Sequence, residues 1–342
     1  MLPTLPVIDL SLLDAGPEKA AEFREQLRAV AHEVGFFYLV GHGVDQQLTD
    51  DLLEVSRHFF ELPAEDKLAI ENVHSPQFRG YTRVGGELTN GDVDWREQID
   101  VGVERGPVER GTGVADFWRL EGPNLWPSAL PEFRDVVDRW IGALSDVSRR
   151  LLRAWALSLG AAEDVFDDAF AEPFSLLKIV RYPGESGGTA KQGVGSHRDG
   201  GVLTLLLVEP GKDGLQVEHD GEWIEAPSLP GAFVVNIGEM FEMATEGYLK
   251  ATLHRVQSPL IGTDRVSIPF FFNPGLGTVM PQLALGPELR AGVRGLSVDP
   301  TNSPILETYG DNALRYRLRA HPNVAEIHHA DLLAVPAAAL AR

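Results

Sequence analysis

The chain contains no cysteine. Disulfides, thiolate metal sites and cysteine-ligated iron–sulfur clusters are therefore excluded. Long apolar runs are missing too: a stretch such as LLLV is far too short to span a bilayer. The opening residues MLPTLPVIDL lack a basic segment followed by an apolar one, so they do not read as a secretory signal. Positive charge is scarce, with 30 Lys and Arg against 50 Asp and Glu and a net charge of -20 over 342 residues. Such a field repels phosphate backbones and anionic lipid, so neither nucleic acid nor a membrane is expected as a partner. A small anion stays admissible wherever a local basic residue receives it. The expectation is a cytoplasmic protein, a monomer or weak homodimer, that works on a small molecule.

What is present divides into four regions that pack as one unit. Residues 1–120 read as a helical N-terminal region, 121–172 as connecting loops and a long helix, 173–280 as a β core, and 281–342 as a C-terminal helix and polar tail. Ala20, Phe23, Leu27, Val30 and Ala31 recur at helical spacing. A second helix follows with Thr49 or Asp50 as its cap, and a third begins near Pro63. Between Pro76 and Pro131 regular patterns fade into Gly- and Pro-rich connections. Val136, Trp140, Leu144, Val147, Leu151 and Trp155 then mark one face of a long helix. From Pro173 onward, short apolar strands alternate with Gly, Pro and Asp turns, including a hairpin at Asp220-Gly221. That pattern predicts an antiparallel sandwich or barrel.

The chemistry concentrates in VGSHRDGGVLTLLLVEP. His197 and Asp199 are two apart, and on a strand such residues share a face while Arg198 points away. His254, fifty-five residues after Asp199 at the start of another strand, can complete the set. Two imidazoles and one carboxylate leave half an octahedral shell open, the arrangement used by non-haem Fe(II) oxygenases. A His-x-Asp triplet is weak evidence alone, and His329-Ala330-Asp331 repeats it near the C-terminus, where it reads as a solvated tail feature. The first copy is strengthened by Arg265 and Ser267, again two apart on an apolar strand. A guanidinium buried beside a hydroxyl calls for an anionic partner such as a carboxylate.

The HxD…H…RxS order within SHRDGG…ATLHRVQSP…DRVSIPFFFNP closely resembles the isopenicillin N synthase-like family of iron- and 2-oxoglutarate-dependent dioxygenases. LPVIDLSLL, VGFFYLVGHGV, FFELPAEDK, RGY, DWREQIDVG and GPNLWP resemble that family's N-terminal region in order, so the likeness spans about residues 5 to 320. It implies a mainly β fold with flanking helices, a double-stranded β-helix or jelly roll. It implies that His197, Asp199 and His254 bind Fe(II), and that Arg265 and Ser267 hold the distal carboxylate of 2-oxoglutarate. Tyr182 falls where the family often has a tyrosine that hydrogen-bonds this cosubstrate; Val180 and Arg181 depart from the usual Asn-Tyr before it.

The implied reaction consumes 2-oxoglutarate and dioxygen, releases succinate and carbon dioxide, and oxidises a C–H bond of a small organic metabolite by hydroxylation, desaturation or cyclisation. The pattern equally admits relatives such as isopenicillin N synthase and the aminocyclopropane oxidases, which do not consume 2-oxoglutarate. A non-enzymatic jelly-roll binding protein would predict a broken triad or a missing anion site. Leu203, Leu205 and Leu207, or their alternates, are expected to wall the site. Arg79, Tyr81, Gln192, Arg198 and Arg315 or Arg319 are the candidates for contacting substrate.

Overall fold

The computed structural model describes residues 4–109, 111–184, 192–260, 262–297 and 304–333. The strands are β1 (Val7–Asp9), β2 (Phe36–Val40), β3 (Gly80–Thr82), β4 (Leu88–Thr89), β5 (Asp92–Val93), β6 (Glu97–Gly102), β7 (Leu176–Tyr182), β8 (Gln192–His197), β9 (Leu203–Val208), β10 (Leu215–His219), β11 (Glu222–Glu225), β12 (Phe233–Ile237), β13 (His254–Gln257) and β14 (Arg265–Phe272). The helices are α1 (Pro17–Glu33), α2 (Gln46–Glu61), α3 (Ala64–Leu68), α4 (Glu132–Ser158), α5 (Glu239–Ala244), α6 (Pro287–Arg290), α7 (Tyr309–Ala320), α8 (Pro322–His328) and α9 (Ala330–Leu333).

Two sheets make the core. The larger has eight strands in the order β1-β2-β12-β9-β14-β7-β6-β3, and the smaller has four in the order β11-β10-β13-β8. Among the described strands β1–β2 is the one parallel pair and the other strand pairs are antiparallel. Beyond β8 the chain passes repeatedly between the two sheets, from β8 to β9, β9 to β10, β11 to β12, β12 to β13 and β13 to β14, which makes the architecture a jelly roll without a closed barrel. The β10–β11 turn does fall at Asp220-Gly221, both at positive φ (53° and 83°), as a two-residue hairpin requires.

The larger sheet is covered on one face by helices. Phe133, Val137, Trp140, Leu144, Val147, Leu151 and Trp155 form the buried seam of α4. Trp140 meets Phe233 edge-on, and Trp155 does the same with Phe37 and Phe241. Val136, expected on this seam, is only half-buried, because the seam starts from Phe133 and so falls on Val137. Nor is α2 capped by Thr49 or Asp50. The helix begins earlier, where the Asp45 side chain accepts from Gln47 N.

The strands expected at PVIDLSLLD and FFYLVGHG are β1 and β2, and β3 and β6, which were not expected, join them in the larger sheet. The stretch read as structureless contains β6, and every residue of that strand is buried. Its sequence EQIDVG hides the strand because Glu97, Gln98 and Asp100 face charged partners inside the protein rather than solvent. The described part of the polar tail, up to Leu333, is also structured. His329 is fully buried, stacks on Phe78 at 5.1 Å and contacts Pro76 O through Nε2, while the exposed Asp331 pairs with Arg119. The second His-x-Asp triplet is thus a packing element, not a solvated feature.

Candidate active site

The smaller sheet brings the two histidines together by register. His197 ends β8, His254 begins β13, and the two are direct partners of the antiparallel pair. Their ring centroids lie 4.2 Å apart. Each Nδ1 faces a backbone carbonyl, that of Gly195 for His197 (2.8 Å) and of Thr252 for His254 (3.1 Å). A proton on Nδ1 satisfies those contacts and leaves both Nε2 lone pairs free for a metal.

Asp199 does not share the strand with His197, as the sequence had suggested. It lies past the end of β8 and is held from the larger sheet: Thr204 Oγ1 and Asn236 Nδ2 donate to its Oδ2 at 2.5 and 2.7 Å. Oδ1 is left 3.6 Å from His197 Nε2 and 3.8 Å from His254 Nε2. Thr204 and Asn236 are themselves a cross-strand pair of β9 and β12. Sequence reasoning missed both. A Thr and an Asn interrupting otherwise apolar strands were the available signal. Gly200 and Gly201 permit the tight passage, because a Cβ would strike the Tyr316 ring (2.2 Å) and Asn273 Oδ1 (2.0 Å).

Among the described residues, His197, Asp199 and His254 are the one group of His, Asp or Glu placed to share a metal, with ligand atoms within 4.8 Å of one another. Burial would raise the Asp199 carboxyl, but hydrogen bonds and the two imidazoles hold it well below the usual carboxylate range. Burial and the neighbouring His197 push His254 down to about 4, so its imidazole is neutral and able to donate a lone pair.

The same cavity, about 740 Å³ in volume, is bordered by Tyr182, Arg265 and Ser267. Arg265 stands opposite Tyr182 across the β14–β7 pair, with its guanidinium 5.2 Å from the ring centroid. It is 1 % exposed, and none of Nε, Nη1 and Nη2 has a hydrogen-bond partner among the described residues. Burial lowers its pKa without removing the charge. A buried cation lacking a partner is costly, so the site is shaped for an anion. The donor set suits Fe(II), and the orphaned guanidinium beside Ser267 suits a carboxylate: these residues fit iron and 2-oxoglutarate.

The remaining candidates separate. Arg198 borders the cavity, with Nε donating to Ala251 O, and so does Arg319. Arg79, Tyr81, Gln192 and Arg315 do not border it. Arg79 is buried against Phe174 and over Gly102, where a Cβ would meet its Nη1 at 1.8 Å. Tyr81 donates to Glu97, Gln192 to Asp94, and Arg315 to Pro304 O and Asn312. The walls from β9 are Thr204 and Leu206; Leu203, Leu205 and Leu207 face the helix-covered core instead. One register step decides which alternate set faces which side.

A jelly roll that gathers two histidines, one carboxylate and a buried arginine around one cavity defines a non-haem iron oxygenase of the 2-oxoglutarate type. Comparisons with known proteins agree. Residues 5–129 match the family model described as non-haem dioxygenase in morphine synthesis N-terminal, and residues 173–274 match the 2OG-Fe(II) oxygenase superfamily. A homoarginine-6-hydroxylase of Arabidopsis thaliana is 36% identical over 85% of this chain and 91% of its own length. The 2-oxoglutarate-dependent dioxygenase frbJ of Dothideomycetidae sp. (strain 11243) is 36% identical over 94% and 91%. A solved 2OG-Fe(II) oxygenase family protein of Caulobacter crescentus superposes with TM-score 0.73 at 27% identity, covering 92% of this chain and 98% of that one. JOX2 in complex with 2OG, Fe and JA superposes with TM-score 0.71 at 28% identity, covering 94% and 88%. The chain belongs to the 2-oxoglutarate/Fe(II)-dependent dioxygenases of the isopenicillin N synthase-like superfamily, and its cofactors are Fe(II) and 2-oxoglutarate. It is an enzyme that oxidises a small molecule. Among the described residues no helix is long and apolar enough to cross a membrane.

Proposed function

We propose that His197, Asp199 and His254 hold the iron, and that Arg265 with Ser267 receives the distal carboxylate of 2-oxoglutarate above the Tyr182 ring. The observation that carries this reading is Arg265: a fully buried guanidinium with no partner on any of its three nitrogens, facing the cavity that the triad borders. When bound, iron and 2-oxoglutarate would activate dioxygen, the oxidant both for C–H cleavage and for decarboxylation of the cosubstrate to succinate and carbon dioxide. The chain's own part is placement. Thr204 and Asn236 fix Asp199 so that one oxygen faces the metal position. Gly195 O and Thr252 O fix the imidazoles. Leu206, Val256 and Phe271 give that space apolar walls, which keep water from competing with substrate.

The rival within the fold is an oxidase that does not consume 2-oxoglutarate. The relatives favour consumption: those at 36% identity are named 2-oxoglutarate-dependent or homoarginine hydroxylases, whereas a 1-aminocyclopropane-1-carboxylate oxidase of Dictyostelium mucoroides stands at 31%. Succinate formed in stoichiometry with oxidised product tests the reading, and turnover with 2-oxoglutarate omitted would overturn it. Homoarginine is the first compound to assay, because several plant relatives carry its hydroxylation in their names. We also read the chain as a cytoplasmic monomer or weak dimer that works without nucleic acid or membrane. The net charge of -20 supports the latter. Retention on an anionic matrix at physiological salt, or a stable large assembly in light scattering, would contradict it.

A further inference from the structure

The wall of the cavity carries charges that neither the metal cluster nor the cosubstrate end requires. Apart from Arg265 and Asp199, five cations border it, Arg96, Lys178, Arg198, Arg317 and Arg319, against one carboxylate, Glu87. Over the whole chain the balance is the reverse, 30 cations against 50 acids. A cation-rich lining inside an acidic protein is a local device.

Its construction shows which charge it presents. Lys178 on β7 and Arg96, just before β6, are 7 % and 8 % exposed. Lys178 Nζ donates to both Glu87 oxygens at 2.7 and 2.9 Å, and Arg96 Nη2 lies 3.2 Å from Glu87 and 3.0 Å from Asp94. Arg317 on α7 donates to Asp100 at 2.6 Å. Asp94 and Asp100 do not border the cavity; they neutralise the cations from the protein side. Glu87 borders it, but Lys178 and Arg96 already engage both its oxygens. The Nε of Arg96 is buried and has no partner among the described residues. The wall therefore has donor capacity to spare, and Glu87 is already held by two cations. Beside it the lining is apolar, through Leu120, Phe174, Leu176 and Leu206.

We propose that the substrate carries a carboxylate that docks against Lys178, Arg96 and Arg317, while its hydrocarbon part lies on the apolar lining. This assignment rests on the reading that the triad and Arg265 are occupied by iron and 2-oxoglutarate, which leaves this wall for the substrate. Charge-assisted hydrogen bonds to cations already desolvated and held in place are strong and directional. A substrate cation seeking Glu87 would have to approach Lys178 and Arg96 and be repelled by both.

The test titrates the anaerobic protein, loaded with Fe(II) and 2-oxoglutarate, with hexanoic acid, 3-phenylpropanoic acid and homoarginine, each beside its primary amide. Binding is read from the visible band of the iron–2-oxoglutarate complex and, independently, from thermal shift of the metal-free protein. At least one acid is expected to bind, with its amide at least tenfold weaker. K178M should weaken that acid by roughly 10–100-fold, with 2-oxoglutarate affinity kept and K178R retaining most of the binding. R317Q, at a less buried position, serves the same purpose if K178M does not fold. No acid binding, equal binding of acid and amide, or undiminished acid binding in the variants would each overturn the proposal. Absence of the visible band in the wild type would instead overturn the iron and 2-oxoglutarate reading, and the thermal-shift arm would still compare acid with amide.

Discussion

Asn236 on β12 donates from Nδ2 to Asp199 Oδ2 at 2.7 Å, tying a loop aspartate of one sheet to the middle of the other. The metal position thus depends on a residue that binds no metal. N236A and T204V should each lower Fe(II) affinity by roughly 10–100-fold, with the fold kept. Metal titration with circular dichroism as control checks this; unchanged affinity would show that Asp199 needs no such support.

Arg265 gives a prediction with two signs. R265L should raise the KM for 2-oxoglutarate by about 100-fold or more, because the bidentate charge partner is gone. The metal-free variant should be as stable as the wild type or more so, since a buried cation with no partner is removed. Adding 2-oxoglutarate with metal should raise the Tm of the wild type and not of the variant. A variant that loses stability without ligand would indicate a protein partner for Arg265.

Alongside His254 in the metal-free protein, His321 contributes to the acid side of the stability profile. It is fully buried beside Glu87, Asp100, Lys178 and Arg317, and burial pushes its pKa down to about 4. The unfolded chain takes up this proton near pH 6.5, and the folded protein only near 4. Acidification through that window therefore favours unfolding, and the loss from this group ends once both states are protonated. Glu87 and Asp100, which their cationic neighbours hold below the usual carboxylate range against burial, add a further loss at lower pH. H321Q should flatten denaturant midpoints between pH 6.5 and 4. An unaltered slope would assign the acid loss to other groups.

The helix seam offers a control away from the site. Trp155 is fully buried between Phe37 and Phe241, and its indole Nε1 has no partner among the described residues. W155A should cost about 3–5 kcal/mol through the cavity it leaves. W155F should cost much less, because no hydrogen bond is lost. Equal losses in urea melts would mean that the indole nitrogen is engaged.

Much of this was legible in the sequence, because local periodicity reports what one element buries. The α4 seam, the β10–β11 turn and the strands after Pro173 follow from spacing and turn chemistry. His197, Asp199, His254, Arg265 and Ser267 could be singled out as candidates, but the period of two holds only for Arg265 and Ser267 on β14, since Asp199 lies past the end of β8. β6 was not legible: its Glu97, Gln98 and Asp100 are polar, and only neighbours distant in sequence make them interior residues. The roles of Thr204 and Asn236 were equally hidden, as was the placement of Arg79 and Tyr81 outside the cavity. The sequence by itself determined the kinds of group and the strands that carry them. Tertiary structure alone decided which alternate face of β9 borders the site, which sheet holds Asp199, and which charges line the cavity. Those depend on register between strands far apart in the chain, and a one-residue step in register exchanges every inward side chain for an outward one.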